Sequence, residues 1–262
     1  MSKKMKPEFF LIRMFPTVSI KGEILERILD AFESNEYFMP AIWSNNEKIK
    51  IDYNRNEIIE KVSSNQMEFS EIYLRKDKSA KYTCRFSTVL SSRSFFSMKI
   101  DKKVPEEYWP IIFSFSDKIA EIVRPSFGVT HIFWSSPIEL QSKYEKSFVW
   151  MDSCAQPAPA DFIQSGPAGV GMRTYFSGKV LELFGEKLLK NMSSNVYQLK
   201  WGGICVDLLD KPWEADIYLV LDSFINAMNY LEQAHVLAIP SFDEQFRGVS
   251  FSPNIAWKNK NK

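Results

Sequence analysis

Apolar residues along this chain recur with two periods, one suited to strands and one to helices. "FFLIRMF" (Phe9–Phe15) is a short apolar run closed by Pro16, and it predicts a strand. "KGEILERILDAFES" (Lys21–Ser34) sets Ile24, Leu25, Ile28, Leu29 and Phe32 on one helical face, with Ser19 as its expected cap. "YFMPAIW" and "KIKIDY" read as strands, the second from the half-buried alternation of Ile49, Ile51 and Tyr53. "RNEIIEKVSSN" reads as a short helix. "EFSEIYLRK", "KYTCRFSTV" and "RSFFSMKI" are three more strand-like runs. Phe69, Ile72 and Leu74 do not alternate strictly, which suggests a bulge. Pro105 and Pro125 bracket a helix: Pro105, Glu106 and Glu107 suit its positive end, Pro110 falls in the first turns, and Pro125 stops it. "GVTHIFW" follows as a strand.

The texture then changes. "CAQPAPADFIQSGPAGVG" (Cys154–Gly171) is rich in proline and small residues and reads as a loop. It divides the chain into an α+β half over 1–150, a linker or long loop over 151–170, and an α+β half over 171–262 ending in a long helix. In the second half "MRTYF" is a strand. "GKVLELFGEKLLKNM" is a helix with Val180, Leu181, Phe184, Leu188 and Leu189 inward. "VYQLKW" and "GGICVDLL" are strands, and Ala215–Ala234 is a helix with Ile217, Leu221, Phe224, Met228 and Leu231 at helical spacing. Strands joined by short connections, without βαβ alternation, predict an α+β fold: mixed, largely antiparallel sheets packed with helices, in two similar-sized halves.

Bulk composition narrows the class. Of 262 residues 45% are hydrophobic and 15% aromatic, enough for a sizeable core. Thirty-three Lys and Arg stand against 32 Asp and Glu, so no global footprint for nucleic acid or a membrane surface exists. Cys84, Cys154 and Cys205 form no CxxC pair, which argues against a disulfide framework and fits a reducing compartment. No apolar run approaches ~20 residues, and the basic start lacks a cleavage site. The expectation is a soluble cytoplasmic protein.

Candidate chemistry is sparse. "GPAGVGMRT" (Gly166–Thr174) has the two glycines of a phosphate loop, with Met172 where its lysine belongs. Pro167 also removes an N–H from the cradle, and no apolar strand leads in. A nucleotide-binding or hydrolytic enzyme built on this loop is the alternative reading, and a glycine turn entering a strand is the favoured one. His131 and His235 lie far apart in apolar contexts, and no zinc-ligand spacing appears. Cys154 lacks any supporting nucleophile signature. No catalytic residue, cofactor or metal is expected.

Charge is uneven instead. Gly202–Gly248 holds eight acids and two bases. Asp207, Asp210, Glu214 and Asp216 cluster there beside Trp213. Asp243 and Glu244 sit between Phe242 and Phe246. Acids beside aromatic rings suit a protein-binding edge, the acids speeding capture and Trp213, Phe242 and Phe246 acting as anchors.

In the second half, the glycine-led "R-x-Y-F" strand (Arg173–Phe176), the "W-G-G" turn (Trp201–Gly203) and the "P-W" pair (Pro212–Trp213) resemble bacterial immunity proteins of type VI secretion and polymorphic-toxin loci. That resemblance covers about 75 residues. It implies a non-enzymatic protein that neutralises a cognate toxin effector by contact in the cytoplasm.

Overall fold

The computed structural model describes residues 6–78, 80–135, 142–243 and 248–259. The first apolar run forms β1 (Pro7–Phe15), and the first one-sided helix is α1 (Glu23–Glu33). Ser19 does not cap α1: Gly22 holds that position, while the Ser19 hydroxyl donates to the Thr88 carbonyl at 2.8 Å. The short strands β2 (Ile42–Ser44) and β3 (Ile51–Asp52) precede α2 (Arg55–Ser63), which is capped by the Asn54 side chain accepting from the Glu57 amide. Ile49 and Ile51 are exposed, so their alternation marks no buried face. The strands β4 (Glu71–Lys76), β5 (Tyr82–Ser87) and β6 (Phe96–Asp101) follow. Phe69 lies in a 3-10 turn ahead of β4, which accounts for the broken alternation without a bulge.

α3 (Trp109–Val123) carries Pro110 in its first turn and ends at Arg124 in the left-handed region, ahead of Pro125. β7 (Phe127–Trp134) comes next. The stretch expected as a loop over 151–170 is largely ordered: α4 (Ser142–Cys154) runs into it and α5 (Pro159–Ser165) lies inside it. Proline there starts a helix, with Pro159 in the first turn of α5. The second half adds β8 (Arg173–Phe176), β9 (Asn195–Gln198) and β10 (Ile204–Asp207). Its first helix divides at Gly185, φ 83°, into α6 (Gly178–Phe184) and α7 (Glu186–Lys190). The long helix α8 (Ile217–Leu231) is capped by Asp216, and all five apolar residues expected inward are buried. A hairpin of β11 (Ile239–Phe242) and β12 (Val249–Ser252), then α9 (Ile255–Asn259), complete the described chain.

The fold is α+β. Ten strands form one antiparallel sheet in the order β3-β2-β4-β5-β6-β1-β7-β8-β10-β9. β7 pairs with β8, so the sheet runs through both parts of the chain. The pairing fixes which residues share a face. Phe10, Ile12 and Met14 lie opposite Ile100, Met98 and Phe96, and these in turn oppose Tyr82, Cys84 and Phe86. This first face packs against α1 and α3, as Phe10 on Trp109 and Phe32 on Phe115 and Tyr82 show.

The second face is covered along only part of its width. Phe15, Phe127 and Phe176 lie side by side across β1, β7 and β8. Phe162 of α5 stacks on the first two rings at 4.0 and 5.6 Å, and Phe184 of α6 meets the third. α8 packs on α4, with Phe224 edge-on to Trp150. β7 is accordingly buried at every residue. Across β4, β5 and β6 the same face stays open, and each strand alternates buried with half-buried or exposed residues.

Candidate functional site

The residues singled out by charge are not one surface. Asp207 is 4% exposed and faces inward from β10. Its carboxylate takes a two-pronged contact from Arg173 of β8, Nε to Oδ1 and Nη2 to Oδ2, both at 2.6 Å. Arg173 Nη1 also reaches Asp117 of α3 at 2.8 Å, and Tyr175 donates to that carboxylate at 2.6 Å. Burial opposes the Arg173 charge, but the two carboxylates outweigh it and hold its pKa above the ordinary arginine range. Asp207 thus locks β8 and β10 to α3 and is not at the surface where it was expected. Trp213 is half-buried against Phe113 at 5.1 Å, and Asp216 caps α8 by accepting from the Tyr218 amide. Asp210 and Glu214 are exposed, Glu214 beside Lys211 at 3.6 Å. Phe242 is half-buried near Trp150, with the Lys146 ammonium 4.4 Å from its ring, and Asp243 is exposed. Glu244 and Phe246 lie outside the described residues.

The motifs behind the family resemblance have packing reasons. Gly202 sits at φ 95°, and a Cβ on Gly203 would fall 2.6 Å from the Trp201 ring. Arg173 and Tyr175 supply the ion-pair network, and Phe176 enters the core.

The phosphate-loop look-alike is a buried packing segment. A helix, α5, precedes it and a strand, β8, follows, the reverse of the order such a loop needs. Residues 165–172 are buried. Its glycines admit close neighbours: a Cβ at Gly166 would meet Trp257, and one at Gly169 would lie 2.6 Å from Cys154 Sγ. The Thr174 hydroxyl accepts from the Gly171 amide at 2.9 Å.

Two buried titratable groups lie where α4 meets the sheet, one on β7 and one at the end of α4. His131 of β7 is fully buried, with Nε2 3.5 Å from Asp152 Oδ1. Burial raises the Asp152 carboxyl, against the lowering influence of His131. Cys154 donates to the Ala168 carbonyl at 3.0 Å, and burial pushes its thiol well up, the opposite of an activated nucleophile. Among the described residues no group of three or more His, Cys, Asp or Glu is placed to hold a metal ion, and no helix is long and apolar enough to cross a membrane.

The open part of the second face is the most distinctive surface. Two cross-strand rows run over it: Arg75, Thr83, Lys99 and Leu11, and beside them Tyr73, Arg85, Ser97 and Arg13. Four cations therefore occupy alternate places on four adjacent strands. A concavity of about 490 Å³ lies over these rows, with Glu47 and Phe95 at its border. A second, of about 550 Å³, shares Thr83 and Lys99 with it, so the two form one trough. Aromatic rings hold the cations: Lys99 lies 3.9 Å from the Phe9 centroid, and Arg85 lies 4.8 Å from Phe95 and 5.4 Å from Tyr73. Arg85 donates to Glu71 at 2.8 Å, and Arg75 to the Glu47 carbonyl at 2.6 Å.

Arg13 differs from these. It stands where the open half meets the helix-covered half, between Ser97 on β6 and Val129 on β7. Its Nε, like that of Arg75, is buried without a hydrogen-bond partner, but Arg75 reaches the Glu47 carbonyl through Nη2, whereas among the described residues the Arg13 side chain makes no hydrogen bond, ion pair or ring contact. Burial first, and Arg85 second, lower its pKa. Charge counting along the chain passes over this surface, yet its signal is there: apart from Lys76 and Tyr82, the polar members of "EIYLRK", "YTCRFS" and "FSMKID" point to one side.

No protein-family model matches the chain, and no curated protein matches its sequence. Among solved structures it is similar to the Pseudomonas aeruginosa T6SS protein PA0821, with a TM-score of 0.51 and 10% sequence identity over 89% of this chain and 86% of that one. The two share a fold over nearly their whole lengths.

Proposed function

We infer that this protein serves type VI secretion as an immunity protein: in the cytoplasm it binds a cognate toxin effector and neutralises it by contact, turning over no substrate. The observation that carries this reading is the fold shared along the chain with a T6SS protein. The resemblance of the second-half strand, turn and Pro-Trp pair to immunity proteins points the same way. The glycine segment favours no nucleotide, being buried and in the wrong order of elements.

The test is expression of the neighbouring gene's product in a bacterial host, with and without this chain. Growth arrest by the neighbour alone, relief on co-expression, and co-elution of the two proteins in gel filtration are the expected results. Unimpaired growth with the neighbour alone, or arrest that this chain does not relieve, overturns the reading.

A further inference from the structure

We propose that the open face of β4, β5, β6 and β1 is a binding site for an acidic protein segment, one of whose carboxylates is received by the Arg13 guanidinium. The proposal deepens the function inferred above by naming the chemistry that the partner presents. It also reverses the charge sense expected from the acid-rich second half.

Three observations converge on that occupant. The first is charge. Arg13, Arg75, Arg85, Lys99, Lys81 and Lys102 line the trough against Glu47, Glu8 and Asp101, with Glu71 beside it on the same face of β4, and Glu8 is already taken by Lys102. Glu71 is already engaged by Arg85. The second is the state of Arg13. A partly desolvated cation beside other cations destabilises the free protein, and an incoming carboxylate would offset that cost. The third is preorganisation. Phe9, Tyr73 and Phe95 hold the Lys99 and Arg85 heads in place, so little side-chain freedom remains to be lost on binding.

A nucleic-acid strand fits less well. Glu47 and Glu71 border the cations on one side and would repel a continuous phosphate backbone, whereas separate carboxylates can be seated between them. The chain's net charge of +1 gives no wider field to draw in a polyanion.

The probe is a fluorescein-labelled hexaglutamate peptide, titrated with the full chain at low ionic strength and followed by anisotropy. Saturable binding is expected, weakening with added salt. Arg13→Gln should weaken it by about fivefold or more, as for the loss of a charge-assisted contact. Thr83→Glu, at an exposed strand position in the middle of the trough, should do the same, while Lys187→Gln, which removes an exposed cation on α7 outside the trough, should leave binding unchanged. Thermal melts accompany each variant, and if Arg13→Gln fails to fold the Thr83→Glu result decides. Absence of peptide binding, equal binding by all variants, or tighter binding of a decathymidine strand than of the peptide overturns the proposal. Those outcomes stand apart from the growth test: a chain that relieves toxicity but ignores the peptide keeps its function and loses this site. A chain that binds the peptide as expected but relieves nothing keeps the site and loses the immunity role.

Discussion

Arg13 sits among cations on β1, the strand where open and covered surface meet. Its hydrophobic replacement should therefore stabilise the free protein, because the lost charge had no partner among the described residues. Arg13→Met is expected to raise the melting temperature by about 2–4 °C, the shift that ~1 kcal/mol gives in a chain of this size. Differential scanning calorimetry checks it, and a lowered midpoint would contradict the assignment of Arg13 as an unsatisfied cation. Gly169 behaves in the opposite sense. Its missing Cβ is the space that Cys154 Sγ fills, so Gly169→Ala should destabilise by about 1–3 kcal/mol in urea titrations. Neither role was legible in the sequence. A glycine in a Pro-rich stretch signals a turn, and nothing in "LIRMF" says that its arginine lacks a counter-ion.

Between elements, the Arg173–Asp207 contact joins β8 and β10 and reaches α3 through Asp117. Asp207→Ala leaves a largely buried guanidinium with only half its anionic support. A loss of about 3–5 kcal/mol is expected from the urea midpoint. A second test concerns α4. The Asp152 carboxyl has its pKa raised in the folded chain, so the fold holds a proton that the unfolded chain releases more readily. Its contribution is most favourable below the ordinary carboxylate range and is lost as pH rises through the raised value. Asp152→Asn should flatten that part of the stability profile, just above the ordinary carboxylate range, measured by urea unfolding against the parent. Most elements could be read directly from periodicity, because β5, β6, α1 and α8 each bury one clean face. α5 could not, since its seven residues are too few for a helical period to show, and its proline and small residues imitate a loop. The charged residues misled for a related reason: acid density along the chain says nothing of which carboxylate a neighbouring arginine has already taken inward.

At the scale of the molecule, pairing of β7 with β8 carries the sheet across the stretch that composition marks as a boundary. Unfolding is therefore expected as one cooperative transition, with far-ultraviolet circular dichroism and tryptophan fluorescence giving the same urea midpoint. Two separated midpoints would show that the halves melt independently. The helix layers are unequal, one face being covered broadly and the other on one side only, and that inequality could not be derived from the sequence because it depends on strand order. The borders of the sheet carry a final consequence. The strand at one end has two residues, and the strand at the other has four, mostly exposed. Such stubs offer a visiting chain few free main-chain groups to zip onto. Recognition by this sheet therefore falls to side chains lying flat across its open face, so a single exchange of charge in either molecule can redirect the pairing while both backbones stay unchanged.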